Sequence, residues 1–176
     1  LDDDNDGIAD YEDGCFSVVG WISDSASDYD TDGCHDLEED DDDDDDSIED
    51  YIDSCPKGYL GWISTPNNDW DGDGCHDFVE DSNDDQDDYD DDFDSCPLGE
   101  IYWIADSNND FDQDGCHDLF EDDDDDNDGI MDYNSTGDML DQCPNTPLGS
   151  LDIDEFGCAA FQRDSDDDGV NDLIDQ

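Results

Sequence analysis

Three stretches of this chain place carboxylates at one and the same spacing. Asp28, Asp30, Asp32, Gly33, Asp36 and Glu39 form the first set. Asp69, Asp71, Asp73, Gly74, Asp77 and Glu80 repeat it, and Asp110, Asp112, Asp114, Gly115, Asp118 and Glu121 repeat it again. With the first Asp as position 1, acids stand at positions 1, 3, 5, 9 and 12, and Gly stands at 6. Such a set suits a hard cation, because Ca2+ takes about six to eight oxygen ligands at roughly 2.3–2.6 Å from carboxylates, carbonyls and water. Alternate Asp residues converge on one ion as the chain winds around it. Gly at position 6 permits the positive-φ turn that lets the position 7 carbonyl point inward, and an acid at position 12 closes the shell with two oxygens.

Five less regular loops share the pattern. They are Asp2, Asp4, Asp6, Gly7, Asp10 and Asp13; Asp42, Asp44, Asp46, Asp50 and Asp53; Asn83, Asp85, Asp87, Asp91 and Asp94; Asp124, Asp126, Asp128, Gly129 and Asp132; and Asp164, Asp166, Asp168, Gly169, Asp172 and Asp175. Ser47 and Asp88 stand where the loop wants Gly, Asn83 replaces the first Asp, and residues 133–137 lengthen the seventh loop ahead of Asp138 and Asp141. In the runs Asp40 to Asp46 and Asp122 to Asp126 only alternate residues can face one ion, and the others bind second ions or face water.

The loops belong to a larger period. Trp21, Trp62 and Trp103 fall in register with Cys34, Cys75 and Cys116 and with His35, His76 and His117, at a step of 41 residues, which marks a repeat protein. Each unit runs through an aromatic stretch such as Gly61-Trp62-Ile63, then the acidic loop ending in Gly-Cys-His-Asp, then a second acidic loop. Residues 1–176 read as a fragment of a longer array of such units, with inserts between Cys near 15–34, 55–75, 96–116 and 143–158. The last insert is shorter and lacks Trp.

Composition sets the physical problem. Asp and Glu number 63 against 2 Lys plus Arg, for a formal charge of −61, and only 32% of residues are apolar. That balance excludes nucleic-acid binding, since phosphate-neutralising cations are lacking. It also predicts an expanded chain unless bound cations neutralise it. One ion in each of eight loops offsets only about a quarter of that charge, and two per loop about half, so residual repulsion favours an elongated molecule. No apolar run approaches the roughly 18–20 residues of a membrane span. Eight Cys without a C-x-x-C pair read as a disulfide framework and an oxidising, extracellular or cell-surface setting.

The ligand spacing resembles the calcium loop of an EF-hand, but no amphipathic helical pattern flanks any copy, and Pro, Gly and Asp punctuate the intervals. The alternation of D-x-D-x-D-G-x-x-D-x-x-D with Cys-Pro, over nearly the whole chain, is similar to thrombospondin type 3 repeats. The insert from Cys143-Pro144-Asn145-Thr146-Pro147-Leu148-Gly149 to Gly157-Cys158 resembles those of the microbial branch. The resemblance implies an irregular tandem repeat held by calcium and disulfides. Little regular secondary structure is expected, with short β-hairpin-like or turn elements between Cys.

Interval lengths favour local pairs, Cys15 with Cys34, Cys55 with Cys75, Cys96 with Cys116 and Cys143 with Cys158. The alternative joins Cys34 to Cys55 and onward, and sequence does not decide between them. The three His each stand alone beside a Cys, which speaks for packing rather than zinc. The Trp residues, with Ile22, Ile63, Ile104 and Tyr102, are expected to supply a small core in each insert, the other reading being a stacking platform for ligands. Asn134-Ser135-Thr136 is an acceptor sequence for a glycan. No G-x-S-x-G, free-thiol pair or phosphate loop supports an enzyme. The expected function is a rigid extracellular stalk or spacer of an adhesion or surface protein, its partners calcium and neighbouring domains. The alternative is a subunit of a self-assembling fibre whose partners are other copies of the chain. Mineral nucleation ranks below both, because a Gly at position 6 serves an enclosed ion.

Overall fold

A computed structural model describes residues 1–166 and 169–174. The chain divides into two compact units, Leu1–Asp84 and Asp85–Gln176, with the boundary inside the fifth acidic loop. Among the described residues there is no helix and no strand, only turns and bends and one isolated antiparallel bridge between Tyr133 and Met139. The turn elements expected between Cys are present, while the hairpin-like pairing lies outside the inserts, in the lengthened seventh loop.

The local backbone explains why neither regular element forms. Position 6 is left-handed at Gly7, Gly33, Gly74, Gly115, Gly129 and Gly169, with φ between 86° and 105°. Ser47 adopts the same state at φ 82°, at a cost that glycine does not carry. Asp88, the other departure from glycine, is not among the left-handed residues. Position 4 is also left-handed in seven loops, at Asn5, Thr31, Asp45, Gly72, Gln86, Gln113 and Asn127. In six loops the two left-handed residues stand two apart and reverse the chain twice, which no helix or strand survives. In seven loops the carboxylate at position 9 accepts the N–H of position 2 or a near equivalent. Examples are Tyr29 N to Asp36 Oδ1 at 3.0 Å, Trp70 N to Asp77 Oδ1 at 3.0 Å and Phe111 N to Asp118 Oδ1 at 3.1 Å.

Four disulfides join Cys15 to Cys34, Cys55 to Cys75, Cys96 to Cys116 and Cys143 to Cys158, which settles the connectivity in favour of the local pairs. Closing loops of this length stabilises each insert by about 3 kcal/mol through the unfolded chain. Around every disulfide the backbone makes one clasp. The residue before the first Cys donates its N–H to the carbonyl two residues before the second: Gly14 to Asp32 (2.7 Å), Ser54 to Asp73 (2.7 Å), Ser95 to Asp114 (2.8 Å) and Gln142 to Phe156 (2.9 Å). The preceding carboxylate, Asp13, Asp53, Asp94 or Asp141, accepts the N–H of the first Cys at 2.6–2.9 Å.

That same carboxylate presses on the glycine before the second Cys. A Cβ built on Gly33, Gly74, Gly115 or Gly157 would sit within 2.5, 2.1, 2.3 or 2.0 Å of Oδ1 of Asp13, Asp53, Asp94 or Asp141. These glycines serve twice, for the left-handed turn and for close approach.

Little apolar surface is buried. The buried hydrophobic residues are Cys34, Trp62, Cys75, Cys116, Cys158 and Ala159, whereas twenty Asp side chains fall in the buried class among the described residues. Trp21, Trp62 and Trp103 each meet a His, with ring centroids 4.8 Å apart for Trp21–His35, 4.7 Å for Trp62–His76 and 4.9 Å for Trp103–His117. The small core is thus a Trp–His pair. Ile22, Ile63, Ile104 and Tyr102, expected to join it, are exposed.

Two substitutions test the left-handed positions by thermal unfolding of the disulfide-intact chain. Gly74→Ala, which places a methyl against Asp53, is expected to destabilise by about 2–4 kcal/mol. Ser47→Gly is expected to stabilise by about 0.5–1 kcal/mol.

Candidate metal centres

In four loops the winding brings the carboxylates at positions 1, 3 and 5 together. Asp2, Asp4 and Asp6 converge, as do Asp28, Asp30 and Asp32; Asp42, Asp44 and Asp46; and Asp69, Asp71 and Asp73, each set with one carboxylate oxygen per residue within 4.8 Å of the others. These groups could hold a metal ion. A fifth triad, Asp36, Asp40 and Asp43, was not foreseen as a set. It takes position 9 of one loop and two Asp of the run that follows. The only signal for it was the excess of Asp in that run beyond what one ion can face.

Burial tests whether the triads suit a cation. Asp4, Asp6, Asp28, Asp44, Asp46, Asp110 and Asp141 are 2% exposed or less, and each keeps one carboxylate oxygen with no hydrogen-bond partner. An ionised oxygen removed from water without a donor or cation costs several kcal/mol. Twenty buried Asp against two basic residues cannot be balanced within the chain. The donor set therefore fits a hard, oxygen-seeking cation.

The second oxygens are fixed by backbone. Position 5 carboxylates accept the N–H two residues on, Asp6 from Ile8 (2.7 Å), Asp32 from Cys34 (2.8 Å), Asp46 from Ile48 (2.7 Å) and Asp128 from Ile130 (2.8 Å). Asp44 and Asp85 accept Gly58 N (2.7 Å) and Gly99 N (2.9 Å), and Asp126 accepts Thr146 N, so each ties a loop to the chain beyond a first Cys. In Asp6, Asp44, Asp46 and Asp128 these bonds orient the other carboxylate oxygen, which is buried with no hydrogen-bond partner.

Acids at position 12 divide into two kinds. Asp13, Asp53 and Asp94 serve the disulfide clasp. Glu39 Oε2 accepts Ser17 N (3.0 Å) and Val18 N (3.1 Å), Glu80 Oε1 accepts Tyr59 N (3.1 Å) and His76 N (3.2 Å), and Glu121 accepts Glu100 N (2.6 Å) and His117 N (2.9 Å). The Glu carboxylates thus anchor the aromatic inserts. In the lengthened seventh loop, Leu140 N donates to Asp132 O (2.8 Å) and the bridge between Tyr133 and Met139 folds the extra residues out. Asp141, fully buried and omitted from the expected ligands, thereby takes the place held by Asp13, Asp53 and Asp94.

The remaining expected ligands are less enclosed. Asp10, Asp50 and Asp172 brace their loops through the N–H groups of Asp3, Asp43 and Ser165. Asp114 accepts Cys116 N, Asp124 accepts Gly129 N, and Asp164 accepts Gly169 N, while Asp166 is exposed. Asp87 accepts Tyr89 N (2.5 Å) and Asp91 is half-buried, both in the second unit, with Asn83 in the first. Asp168 and Asp175 lie outside the described residues. Asn134 Nδ2, the atom a glycan would modify, donates to Asp138 Oδ2 (3.2 Å) within a tight turn. The His rings stand singly, and Nδ1 of His35, His76 and His117 accepts the N–H two residues on at 3.2 Å, which supports the packing role.

Burial sets the proton affinity of the sites. At position 3 of the three matching loops, desolvation first and then the carboxylate at position 5 push Asp30, Asp71 and Asp112 up to about 7. Desolvation likewise raises Asp53 and Asp94 to about 7, against a single backbone hydrogen bond that lowers each. Desolvation first, and then the crowding of Asp132, Asp118 and Asp122, raises Asp125 to about 8.

No protein-family model matches the chain, and no curated protein matches it.

The raised carboxyls make stability without metal depend on pH in a defined direction. The folded chain keeps protons that the unfolded chain releases from about pH 4 upward, so ion-free stability falls as pH rises from about 4 to 7 or 8. With chelator present, near-ultraviolet circular dichroism from the Trp–His pairs is expected to persist near pH 4.5 and fade by pH 8. A divalent cation should restore it at pH 8. A chelated spectrum unchanged across that range would contradict this account.

Proposed function

We propose that the chain is a calcium-binding structural segment of the thrombospondin type 3 kind, serving as a rigid extracellular stalk or spacer in a surface or adhesion protein. The observation that carries this reading is the repeated convergence of three Asp carboxylates, among which Asp4, Asp6, Asp28, Asp44 and Asp46 are buried with one unpartnered oxygen each, wound by left-handed residues at positions 4 and 6. Calcium is favoured over smaller Mg2+ because the donors are many and all oxygen, and Mg2+ keeps much of its own water. In this reading binding is folding: each ion replaces the hydrophobic core that the composition does not provide. The four disulfides support maturation in an oxidising compartment, and no helix among the described residues is long and apolar enough to cross a membrane. The chain's work is mechanical rather than catalytic, since its carboxylates are accounted for as ligands and clasps.

A second reading, assembly into a calcium-stabilised fibre, draws on a different observation. Leu37, Phe78 and Leu119 occupy the same position of successive repeats and are 89%, 76% and 76% exposed, and Ile22, Ile63 and Ile104 repeat in the same way. Apolar side chains exposed at a fixed period suit lateral contact between copies.

Sedimentation velocity with millimolar calcium and then with excess chelator separates these readings. The stalk predicts a monomer of defined frictional ratio that expands reversibly on chelation and becomes protease-sensitive. Growth into large species with rising concentration selects the fibre, and indifference to calcium removes both.

A further inference from the structure

Lys57 is one of only two basic residues in a chain with 63 acids, and its ammonium is held in one place. Nζ contacts Asp36 Oδ2 and lies 3.2 Å from Asp43 Oδ2. It also stands 5.7 Å from the centroid of the Tyr29 ring, whose hydroxyl donates to Gly58 O at 2.9 Å. Asp36 and Asp43 are each 6% exposed, and with Asp40 they form a triad distinct from those at positions 1, 3 and 5 of the D-x-D-x-D loops. Asp43 Oδ1 and Asp40 Oδ2 are buried with no hydrogen-bond partner, so the triad has oxygens to spare beyond those facing Lys57.

The 41-residue step carries the acidic triad forward as Asp77, Asp81 and Asp84 and then as Asp118, Asp122 and Asp125. It does not carry the lysine. Two residues after the first Cys of each pair stand Ser17, Lys57, Leu98 and Asn145.

We propose that Lys57 is a built-in cation: its ammonium takes the charge-balancing place that a divalent ion would otherwise fill among Asp36, Asp40 and Asp43, so this junction forms without metal. The proposal rests on the calcium reading given above. Its physical ground is that an ammonium on a flexible stem can approach two carboxylates as a point charge, here with an aromatic face beside it. An ammonium and a metal ion cannot share the space between Asp36 and Asp43. The consequence is one junction whose geometry is set during folding rather than by calcium supply, in the unit Leu1–Asp84.

Native mass spectrometry of the disulfide-intact chain at saturating calcium counts the bound ions. Lys57→Met is expected to bind one Ca2+ more than the unaltered chain. Lys57→Arg, which keeps the charge, should bind the same number as the unaltered chain, and adding Asp43→Asn to Lys57→Met should remove the gained ion. Lys57→Gln gives the same reading should the Met variant fail to fold, with near-ultraviolet circular dichroism as the check. An equal, non-zero count in the unaltered and Lys57→Met chains overturns the role of Lys57 alone. So does the loss of one ion on Asp43→Asn in the unaltered background. A count of zero in every form overturns the calcium reading itself.

Discussion

Carboxylates crowded at this density repel one another, and every feature of the fold is an arrangement for living with that repulsion. In water the formal charge of −61 would swell the chain, and the apolar residues are too few to oppose it. The fold gathers the charge into compact triads where a small number of cations could each neutralise several oxygens. Burial usually follows apolar character, because water is the better solvent for charge. Here it follows charge, and Asp is the commonest buried residue among those described. Such a core needs either a counter-ion or protons on its carboxyls, and burial together with the neighbouring carboxylate raises the proton affinity of the carboxyls at position 3.

Covalent and backbone interactions set where the triads lie. Each disulfide closes an insert, and each clasp uses an Asp two residues before the first Cys as a hydrogen-bond acceptor. The glycine before the second Cys admits that carboxylate at a distance no side chain would allow. The fourth clasp forms with no Trp, a shorter insert and a lengthened loop before it, so the clasp does not depend on the aromatic pair. The Trp–His contacts add local packing within the three longer inserts. Stability is distributed over small local units rather than one apolar core.

Much of this was legible in the sequence because the determining interactions are local. The spacing D-x-D-x-D-G states which carboxylates can meet, since alternate residues of a tightly turning chain share one side. The absence of helical or strand periodicity states that neither ladder forms, and the Cys intervals favour local pairs. Asp141 was missed because an excursion of the chain separates it from its loop, and only the fold shows that excursion looping out. The left-handed state at position 4 was equally hidden. Asn5, Thr31, Asp45, Gly72 and Gln86 are five different residue types, and Thr31 is a residue that opposes the conformation.

The sequence by itself therefore determined the chemistry: a carboxylate-rich, disulfide-closed chain with no sizeable apolar core and with acids spaced so that several could hold one metal ion. Those properties depend on composition and on spacings of a dozen residues or fewer, which the covalent chain fixes. Only the tertiary structure decided the disulfide pairing, the exposure of the Ile residues, the diversion of the position 12 Glu carboxylates to the inserts and the meeting of Asp36, Asp40 and Asp43 around Lys57. The disulfides, the Glu contacts and the Lys57 cluster join residues distant in the chain, and how such residues meet depends on how the chain between them turns.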